Sequence, residues 1–271
     1  MKVGWVNDYK LSERPGGPQV CEDLLRAAVV GANNVELIEC PPGAVQTDVD
    51  AYVALNCQRY TLDEVKQITS KPLLHYSLDY WEGGNFEQRA LIFSKARKIL
   101  FCSPLHKSVY MRRWGIGQRG EILPPPMDVE HWLDLREKSN GRSGVMWCGS
   151  ADVGKGLDLA IMWAKEHDAQ LDIYGIGIKP GEPSSDKKIH VRGFVEDNEH
   201  NLALSMHEKF IHFPRKPEPF CYSLLEAWLA GLEVIYAGRI GFESLDKPWD
   251  EIARDCNKSP QTFWELAESC L

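Results

Sequence analysis

Short apolar runs alternate with longer amphipathic segments along the chain, and the first half shows this clearly. Ser103 followed by Pro104 is a typical helix start, because serine caps the N-terminus and proline is tolerated at the first helical position. Alternating strands and helices predict a parallel sheet covered on both faces. Strands are predicted at Val3–Val6, Val35–Glu39, Ala51–Asn56, Leu73–Tyr76, Ile99–Ser103 and Glu121–Leu123, and helices at Cys21–Val30, Leu62–Ile68, Phe86–Arg97 and Pro104–Trp114.

The alternation stops at three successive prolines, Pro124 to Pro126, and at the polar stretch Leu135–Gly144, and it then resumes. We therefore predict an α/β protein with two Rossmann-like domains, residues 1–135 and 136–271, with packing of the last helix back on the first domain as an open alternative. Predicted strands of the second half are Val145–Cys148, Leu171–Tyr174, Ile189–Val191, Phe210–Phe213 and Val234–Tyr236; predicted helices are Val153–Lys165, Asn198–Met206 (capped by Asp197 or Asn198), Phe220–Ala230 and Pro260–Leu271.

Composition is that of a folded chain, with 44% hydrophobic and 26% charged residues among 271. The eight cysteines are scattered without a C-x-x-C pair, so we expect reduced core thiols rather than disulfides or a metal site. The first residues are polar, and no apolar run approaches the roughly 18 residues of a membrane span. We expect a cytoplasmic protein, with peripheral attachment to a membrane as an open alternative.

Two glycine-containing loops follow predicted strands of the second half, at the edge where open α/β sheets bind ligands. The loop from Gly149 to Gly156 contains Ser150 and Lys155; its small residues allow the backbone to approach a phosphate, and the lysine adds a positive charge. The spacing is not that of a P-loop, and an ordinary turn with a solvated lysine explains it equally well. Gly175, after the next strand, predicts a tight turn.

A third loop places one carboxylate before a predicted helix and another about two turns into it. Glu218 precedes Phe220, Cys221, Tyr222 and Ser223, whose backbone N–H groups form the predicted helix N-terminus, a natural anion site. Glu226 follows among apolar neighbours, where a solvated charge is uncommon. The two carboxylates are suited to accept hydrogen bonds from sugar hydroxyls. The alternative is that they interact only with the helix dipole and with water.

Together, these three loops resemble the donor domain of family 4 glycosyltransferases. The spacing from Glu218 to Glu226 matches the E-x7-E motif of that family, and Leu224–Ile235 resembles its continuation into the next strand. Gly193, Phe194 and Val195 resemble the segment whose backbone contacts the nucleotide base. The resemblance implies the GT-B fold, in which two Rossmann-like domains have parallel sheets that face each other across a cleft.

The first half resembles the same family more loosely. Ile122–Asp128 is similar to its interdomain strand and linker, and Gly16 and Gly17 lie where it has a glycine-rich loop near the donor phosphates. His75, predicted at a strand end, lies where some members have an active-site histidine. The resemblance thus covers nearly the whole chain.

The resemblance implies transfer of a sugar from a nucleotide-diphosphate donor, with retention of anomeric configuration, no metal and no cofactor. Glu226 would hold the ribose, Glu218 the donor sugar, and Lys155 with the Phe220–Tyr222 amides the departing diphosphate. Implied catalytic residues are Glu218, Lys155 and His75; implied donor contacts are Gly16, Gly17, Gly149, Ser150, Lys155, Gly175, Gly193, Phe194, Val195, Phe220, Cys221, Tyr222, Ser223 and Glu226.

One departure from the family leaves other functions open. Ser150 stands where the family has an arginine, so one phosphate-binding cation is missing unless Arg215, Lys216 or Arg239 replaces it. A module that binds a nucleotide sugar without transfer is therefore an alternative. Another chemistry on the GT-B fold, such as a nucleotide-sugar epimerase or a phosphorylase, is a separate alternative. The absence of G-x-G-x-x-G after the first strand argues against a dehydrogenase.

A basic stretch gives one indication about the acceptor. Between Phe86 and Glu121 there are eight positive and two negative residues, although the whole chain has a net charge of −8. This basic patch, centred on Lys95, Arg97, Lys98, Arg112 and Arg113, is either a pair of solvated helices or an anionic contact surface, to which Tyr80, Trp81 and Trp114 could add stacking. The acceptor is left open among glycan, lipid, protein and modified nucleobase.

Overall fold

The fold comes from a computed structural model that describes residues 1–9, 16–29, 35–80, 86–115, 118–178 and 187–270. Trp81 and the predicted helix ends at Val30 and Leu271 lie outside these ranges. The described chain forms two compact units: unit 1 comprises Met1–Met127 and Gly241–Leu271, and unit 2 comprises Asp128–Ile240. The division thus lies before the boundary that we predicted at residue 135, which falls inside a helix.

Unit 1 is built on a six-stranded, fully parallel sheet of order β2-β1-β3-β4-β5-β6. Apolar side chains of its strands and helices form a core that includes Tyr52, Phe93, Phe101 and Tyr110. The strands are β1 Lys2–Val6, β2 Glu36–Glu39, β3 Ala51–Ala54, β4 Leu73–Ser77, β5 Lys98–Phe101 and β6 Glu121–Ile122; the helices are α1 Gly17–Val29, α2 Leu62–Ile68, α3 Phe86–Lys95 and α4 Pro104–Trp114.

The predicted bounds of α2 and α4 are confirmed, because capping groups in the sequence fix both starts. Thr61 and Glu64 form a reciprocal capping box at α2. The Ser103 hydroxyl accepts a hydrogen bond from the N–H of His106 at α4. Gly115, with φ of 66°, ends α4 in the left-handed conformation that glycine adopts readily.

Unit 2 contains a five-stranded parallel sheet of order β11-β10-β7-β8-β9. Its core includes Trp147, Ala160, Ile173 and Ile211. The strands are β7 Val145–Cys148, β8 Leu171–Tyr174, β9 Ile189–Gly193, β10 Lys209–His212 and β11 Glu233–Tyr236; the helices are α5 Val129–Lys138, α6 Leu157–Glu166, α7 Asp197–Met206 and α8 Tyr222–Leu229.

Helix α5 was missed because we interpreted the polar stretch after the prolines as a linker. The Asp128 side chain accepts a hydrogen bond from the N–H of His131 and caps the helix. The predicted helix from Val153 is also wrong at its start: a 3₁₀ turn, Val153–Lys155, ends at Gly156, whose φ of 71° prevents a continuous helix. The cap of α7 is Glu196 rather than Asp197 or Asn198.

The last helix, α9 (Trp249–Cys270), returns to unit 1 and contains Pro260, which we predicted as its first residue. Proline has no N–H, so the carbonyl of Cys256 loses its helical partner. That carbonyl instead accepts a bond from the Met127 N–H, with 3.4 Å between nitrogen and oxygen. The Ser259 hydroxyl bonds the Pro124 carbonyl. The proline segment 124–127 therefore compensates the helix for its interior proline.

Candidate functional site

The three predicted loops of unit 2 are neighbours at the carboxyl edge of its sheet. They follow β7, β8 and β10, and β7 lies between the other two strands. The Gly149 N–H bonds the Tyr174 carbonyl at 3.2 Å, and the Ala151 N–H bonds the Ile176 carbonyl at 2.9 Å. The Arg215 N–H reaches the Gly154 carbonyl at 2.8 Å. Backbone hydrogen bonds thus join the three loops to one another along this edge.

Two glycines are required by this loop packing rather than by a ligand. A Cβ atom at Gly156 would lie 1.9 Å from the Phe213 carbonyl oxygen, and one at Gly175 would lie 1.5 Å from the Gly149 oxygen. Both residues also have positive φ, of 71° and 145°. The Gly175 N–H bonds the Gly193 carbonyl at 2.8 Å. Gly149, Gly175 and Gly193, all predicted to contact the sugar donor, are therefore linked by backbone contacts.

Lys155 and Glu218 form the central ion pair of this edge. The Lys155 ammonium lies 3.0 and 2.9 Å from the two carboxylate oxygens of Glu218. The lysine side chain is 36% exposed and the glutamate 8%, so the pair has one buried and one accessible partner. Buried His212, the last residue of β10, places Nε2 3.7 Å from Oε1 of Glu218, beyond hydrogen-bond length.

These neighbours keep Glu218 and His212 ionised in spite of burial. Burial alone would raise the pKa of the Glu218 carboxyl, but His212 and Lys155 lower it to about 2. Burial lowers the pKa of His212, whereas Cys221 and Glu218 raise it, to about 9. At neutral pH the group of Lys155, His212 and Glu218 therefore has two positive charges and one negative charge.

Helix α8 starts two residues later than predicted. Its N-cap is Cys221, with φ of 83°, and Phe220 precedes it as a buried anchor. A left-handed conformation at a non-glycine residue is uncommon and costs about 1–2 kcal/mol. The helix N-terminus, including Tyr222 and Ser223, thus follows directly from the loop that contains Glu218.

Glu226 lies on α8 and is half-buried. Burial and, to a smaller extent, Glu226 raise the pKa of Cys148, at the end of β7, to about 12, while Lys155 opposes the shift. The structure thus brings Lys155, Glu218 and Glu226 to the same sheet edge. Phe194 follows β9 there and is 50% exposed, whereas Val195 is half-buried.

Three cations were candidates to replace the arginine missing at Ser150. Arg215 is paired with Asp158 through two contacts. The side chain of Lys216 packs over Gly154. Arg239 is exposed, its carbonyl accepts the Glu218 N–H at 2.9 Å, and within the described ranges its guanidinium has no partner. Arg239 is therefore the best placed of the three.

His75 is buried inside unit 1 and is the middle residue of β4 rather than its end. Its Nδ1 lies 2.9 Å from the Ala54 carbonyl, its ring packs edge-on against Phe93, and burial lowers its pKa to about 4. A catalytic role for this neutral core histidine has no support from its position. Gly16 and Gly17, at the start of α1, also belong to unit 1.

Several residues of the basic patch have partners within the chain. Arg97 donates to the Cys270 carbonyl at 3.1 Å, Lys98 pairs with Glu121 at 2.8 Å, and Arg112 bonds Ser108 on its own helix. Arg113 lies over the Trp114 ring, 5.0 Å from its centroid. Exposed Lys95 is the clearest remaining cation for an external anion.

A cavity of about 200 Å³ in unit 1 was missed by the sequence interpretation. Asn7, Asp8 and Tyr9 line it directly after β1, together with Glu22 and Arg59. Polar residues at the carboxyl end of the first strand were a signal that could have identified it.

Within the described ranges, no three His, Cys, Asp or Glu side chains form a group suited to a metal ion. The same ranges contain no helix with the length and apolarity needed to cross a membrane. All eight cysteines are free thiols, and six are buried.

The architecture is similar to that of solved glycosyltransferase structures. HepE from Anabaena, in complex with UDP, aligns with a TM-score of 0.66 and 14% identity over 99% of this chain and 100% of that one. Its complex with UDP-glucose gives 0.64 and 15% over 95% and 89%. A glycosyltransferase from Rickettsia africae gives 0.63 and 11% over 96% and 92%. No family model and no curated protein matches the sequence.

At these identities the similarity defines the fold. The chain, with its two parallel Rossmann-like sheets, has the GT-B fold of these structures, which confirms the predicted fold class.

Proposed function

We propose that this protein is a glycosyltransferase that uses a nucleotide-diphosphate sugar bound at the carboxyl edge of the sheet in unit 2. Glu226 binds the ribose hydroxyls, Glu218 the donor sugar, and Lys155 with the N-terminal amides of α8 the diphosphate. Support comes from the resemblance of Glu218–Glu226 to the E-x7-E motif and from the fold shared with HepE, which was solved with UDP and with UDP-glucose.

The cluster of Lys155, His212 and Glu218 is the observation that carries this proposal. Lys155 contacts both oxygens of Glu218, and buried His212 adds a second positive charge beside the same carboxylate. The Lys155 ammonium beside a helix N-terminus stabilises the negative charge that develops on a departing nucleoside diphosphate. Because backbone hydrogen bonds fix the loops, the charged groups need little rearrangement when the diphosphate departs.

Arg239 supplies the cation that Ser150 does not. Its backbone carbonyl accepts a hydrogen bond from the Glu218 N–H. The Arg239 side chain is therefore attached to the backbone next to the residue that would hold the donor sugar. Retention of configuration and independence from metals are part of the proposal, as the family resemblance implies. Product anomers observed by NMR, and turnover in the presence of a chelator, test these two points.

Thermal stabilisation by a panel of nucleotide-diphosphate sugars, with UDP-glucose first, tests the donor site. A ligand at 100 times its Kd stabilises the folded protein by about 2.7 kcal/mol, which gives an easily measured shift in Tm. We expect one donor to stabilise the wild type. Glu226→Ala and Arg239→Ala should each reduce the shift, because each removes a donor contact.

Glu233→Ala is the matched control, since Glu233 is exposed at the amino end of β11. It should keep the full shift. If no donor stabilises the wild type, or if Glu226→Ala responds like the control, the donor site is refuted. Binding without turnover for any acceptor would instead favour the second candidate, a nucleotide-sugar-binding module that lost its phosphate cation at Ser150.

A further inference from the structure

The cavity in unit 1 opens near the carboxyl ends of β1 and β2 and has a volume of about 200 Å³. Sites for drug-sized ligands usually start at roughly 300 Å³, so this cavity accommodates one small ring rather than a nucleotide. Its polar lining residues are Asn7, Asp8, Tyr9, Glu22, Glu39 and Arg59.

The polar wall is fixed in place before any ligand arrives. Glu22 is only 4% exposed, and its carboxylate accepts bonds from Trp5 Nε1 at 2.7 Å and Asn7 Nδ2 at 2.5 Å. Asp8 is 5% exposed and accepts the backbone N–H of Arg59 at 2.9 Å. Buried, hydrogen-bonded carboxylates of this kind hold their oxygens in defined positions, which is what specific recognition requires.

Hydrogen-bond acceptors dominate the wall. The lining contains three carboxylates, of Asp8, Glu22 and Glu39, and the guanidinium of Arg59, which lies 4.6 Å from the Tyr9 ring centroid and donates to the Asp8 carbonyl at 3.0 Å. Arg26, which does not line the cavity, pairs with Glu22 at 3.3 Å and with one oxygen of Glu39, whose other oxygen has no hydrogen-bond partner among the described residues; the wall therefore keeps one more carboxylate than guanidinium groups. A ligand must therefore supply protons, as hydroxyl and ammonium groups do; a phosphate or carboxylate adds only acceptors and negative charge.

We propose that this cavity binds a single polyhydroxylated ring without negative charge, either a neutral or an amine-bearing sugar unit. That this ring is the acceptor of the transfer reaction rests on the proposed function; the binding itself does not. As an acceptor site, the cavity selects a glycan end over an anionic lipid headgroup or a nucleic acid.

Ligand-observed NMR on the full chain, without nucleotide, tests the proposal. The probes are methyl β-glucopyranoside, methyl β-galactopyranoside and glucosamine, compared with glucuronate and glucose 6-phosphate, each at about 20 mM to detect millimolar Kd values. We expect at least one neutral or amine-bearing ring to bind, and its anionic analogue to bind about tenfold more weakly. Glu39→Gln should weaken glucosamine binding severalfold, because it removes an acceptor charge from the wall.

Glu36→Gln is the matched control: the residue is exposed on the same strand but does not line the cavity. The proposal is overturned if no uncharged or amine-bearing ring binds, if the anionic rings bind as well, or if both variants behave alike. Glu226→Ala separates the two sites. Ring binding should persist in this variant; its loss would place the ring in the donor site of unit 2 and refute the cavity as its site.

Discussion

Glu218 shows how a single residue can be both buried and charged. Its carboxylate receives both contacts of Lys155 and lies beside the buried ring of His212. Two cations outweigh the cost of burial, and they lower its pKa while that of His212 rises. A sugar hydroxyl that approaches Glu218 would therefore meet an ionised acceptor over the whole neutral range.

This ion cluster predicts a pH-dependent stability. Because the pKa of Glu218 falls from its ordinary 4.5 to about 2 on folding, its stabilisation is present above about pH 4.5 and is lost as the pH falls toward 2. Glu218→Gln leaves two cations without their anion and should cost about 3 kcal/mol at pH 7. The stability difference from wild type should shrink between pH 5 and pH 3, as urea midpoints would show.

Glu233→Gln is the control for that titration, since Glu233 forms an exposed pair with Lys209 in the same sheet. Such pairs contribute about 1 kcal/mol or less, so this variant should follow the wild type at every pH. A Glu218→Gln deficit that stays constant from pH 7 to pH 3 would contradict the assignment of an ionised, stabilising carboxylate.

Cys221 is a second unusual residue of this site. It caps α8 in the left-handed conformation, at a strain of about 1–2 kcal/mol, directly after the buried Phe220 ring. The strain is retained at the point where the loop turns into the helix N-terminus, which is the position proposed to meet the diphosphate.

At the level of elements, the loops of unit 2 are held by contacts between backbones. Gly156 allows the end of the 3₁₀ turn to pass against the Phe213 carbonyl, and Gly175 allows β8 to end against Gly149. The position of Lys155 therefore depends on the loop after β10 as well as on its own loop.

Gly156→Ala tests this dependence. It adds a Cβ 1.9 Å from a backbone oxygen at a φ of 71°. Gly141→Ala has a similar φ of 66° but meets no atom within 4 Å. We expect the control to cost about 1 kcal/mol through φ alone and Gly156→Ala to cost about 1–3 kcal/mol more through overpacking. If denaturant unfolding gave the same loss of stability for Gly156→Ala and Gly141→Ala, the loops would not be tightly packed.

Sequence patterns predicted the elements whose signals are local. The cap at Ser103 marks a helix start in the sequence itself, and apolar runs such as Val145–Cys148 mark buried strands. Likewise, the loops that contain Lys155 and Glu218 each follow a predicted strand and precede a helix, so both residues were expected at the carboxyl edge of the sheet.

What the sequence could not reveal depends on distant contacts. Pro260 lies inside α9 because residues 124–127 satisfy the helix groups near it, a compensation that no local pattern shows. His75 resembled a site residue by its place near a strand end, but packing against Phe93 buries it. The charge on His212 arises from partners six and nine residues away in the folded loop, Glu218 and Cys221.

At the scale of the whole molecule, unit 1 is assembled from both ends of the described chain. Helix α9 packs on α1 and β4. Its Trp264 donates from Nε1 to the Leu25 carbonyl at 2.8 Å and stacks on Trp5, while Phe263 contacts Trp5 and Tyr76. These aromatic contacts complete the core on one side of the sheet.

Trp264→Ala should therefore destabilise unit 1 by about 3–5 kcal/mol, through a cavity and a lost hydrogen bond. Hydrogen exchange should accelerate at the amides of β1 and β4. Gln261→Ala, at an exposed position of the same helix, should change stability by less than about 0.5 kcal/mol. Unchanged protection at β1 in Trp264→Ala would show that α9 does not support this core.

The discontinuity of unit 1 also has a consequence for biosynthesis. The ribosome makes β1 before unit 2 and α9 only after the whole of unit 2. During that interval unit 2 has all of its sequence and can fold, whereas the apolar surface around Trp5 is not yet covered by α9. A nascent chain stalled before residue 249 would contain a folded unit 2 and a unit 1 that lacks α9 and exposes aromatic side chains. Chaperones recognise exposed apolar surface of this kind.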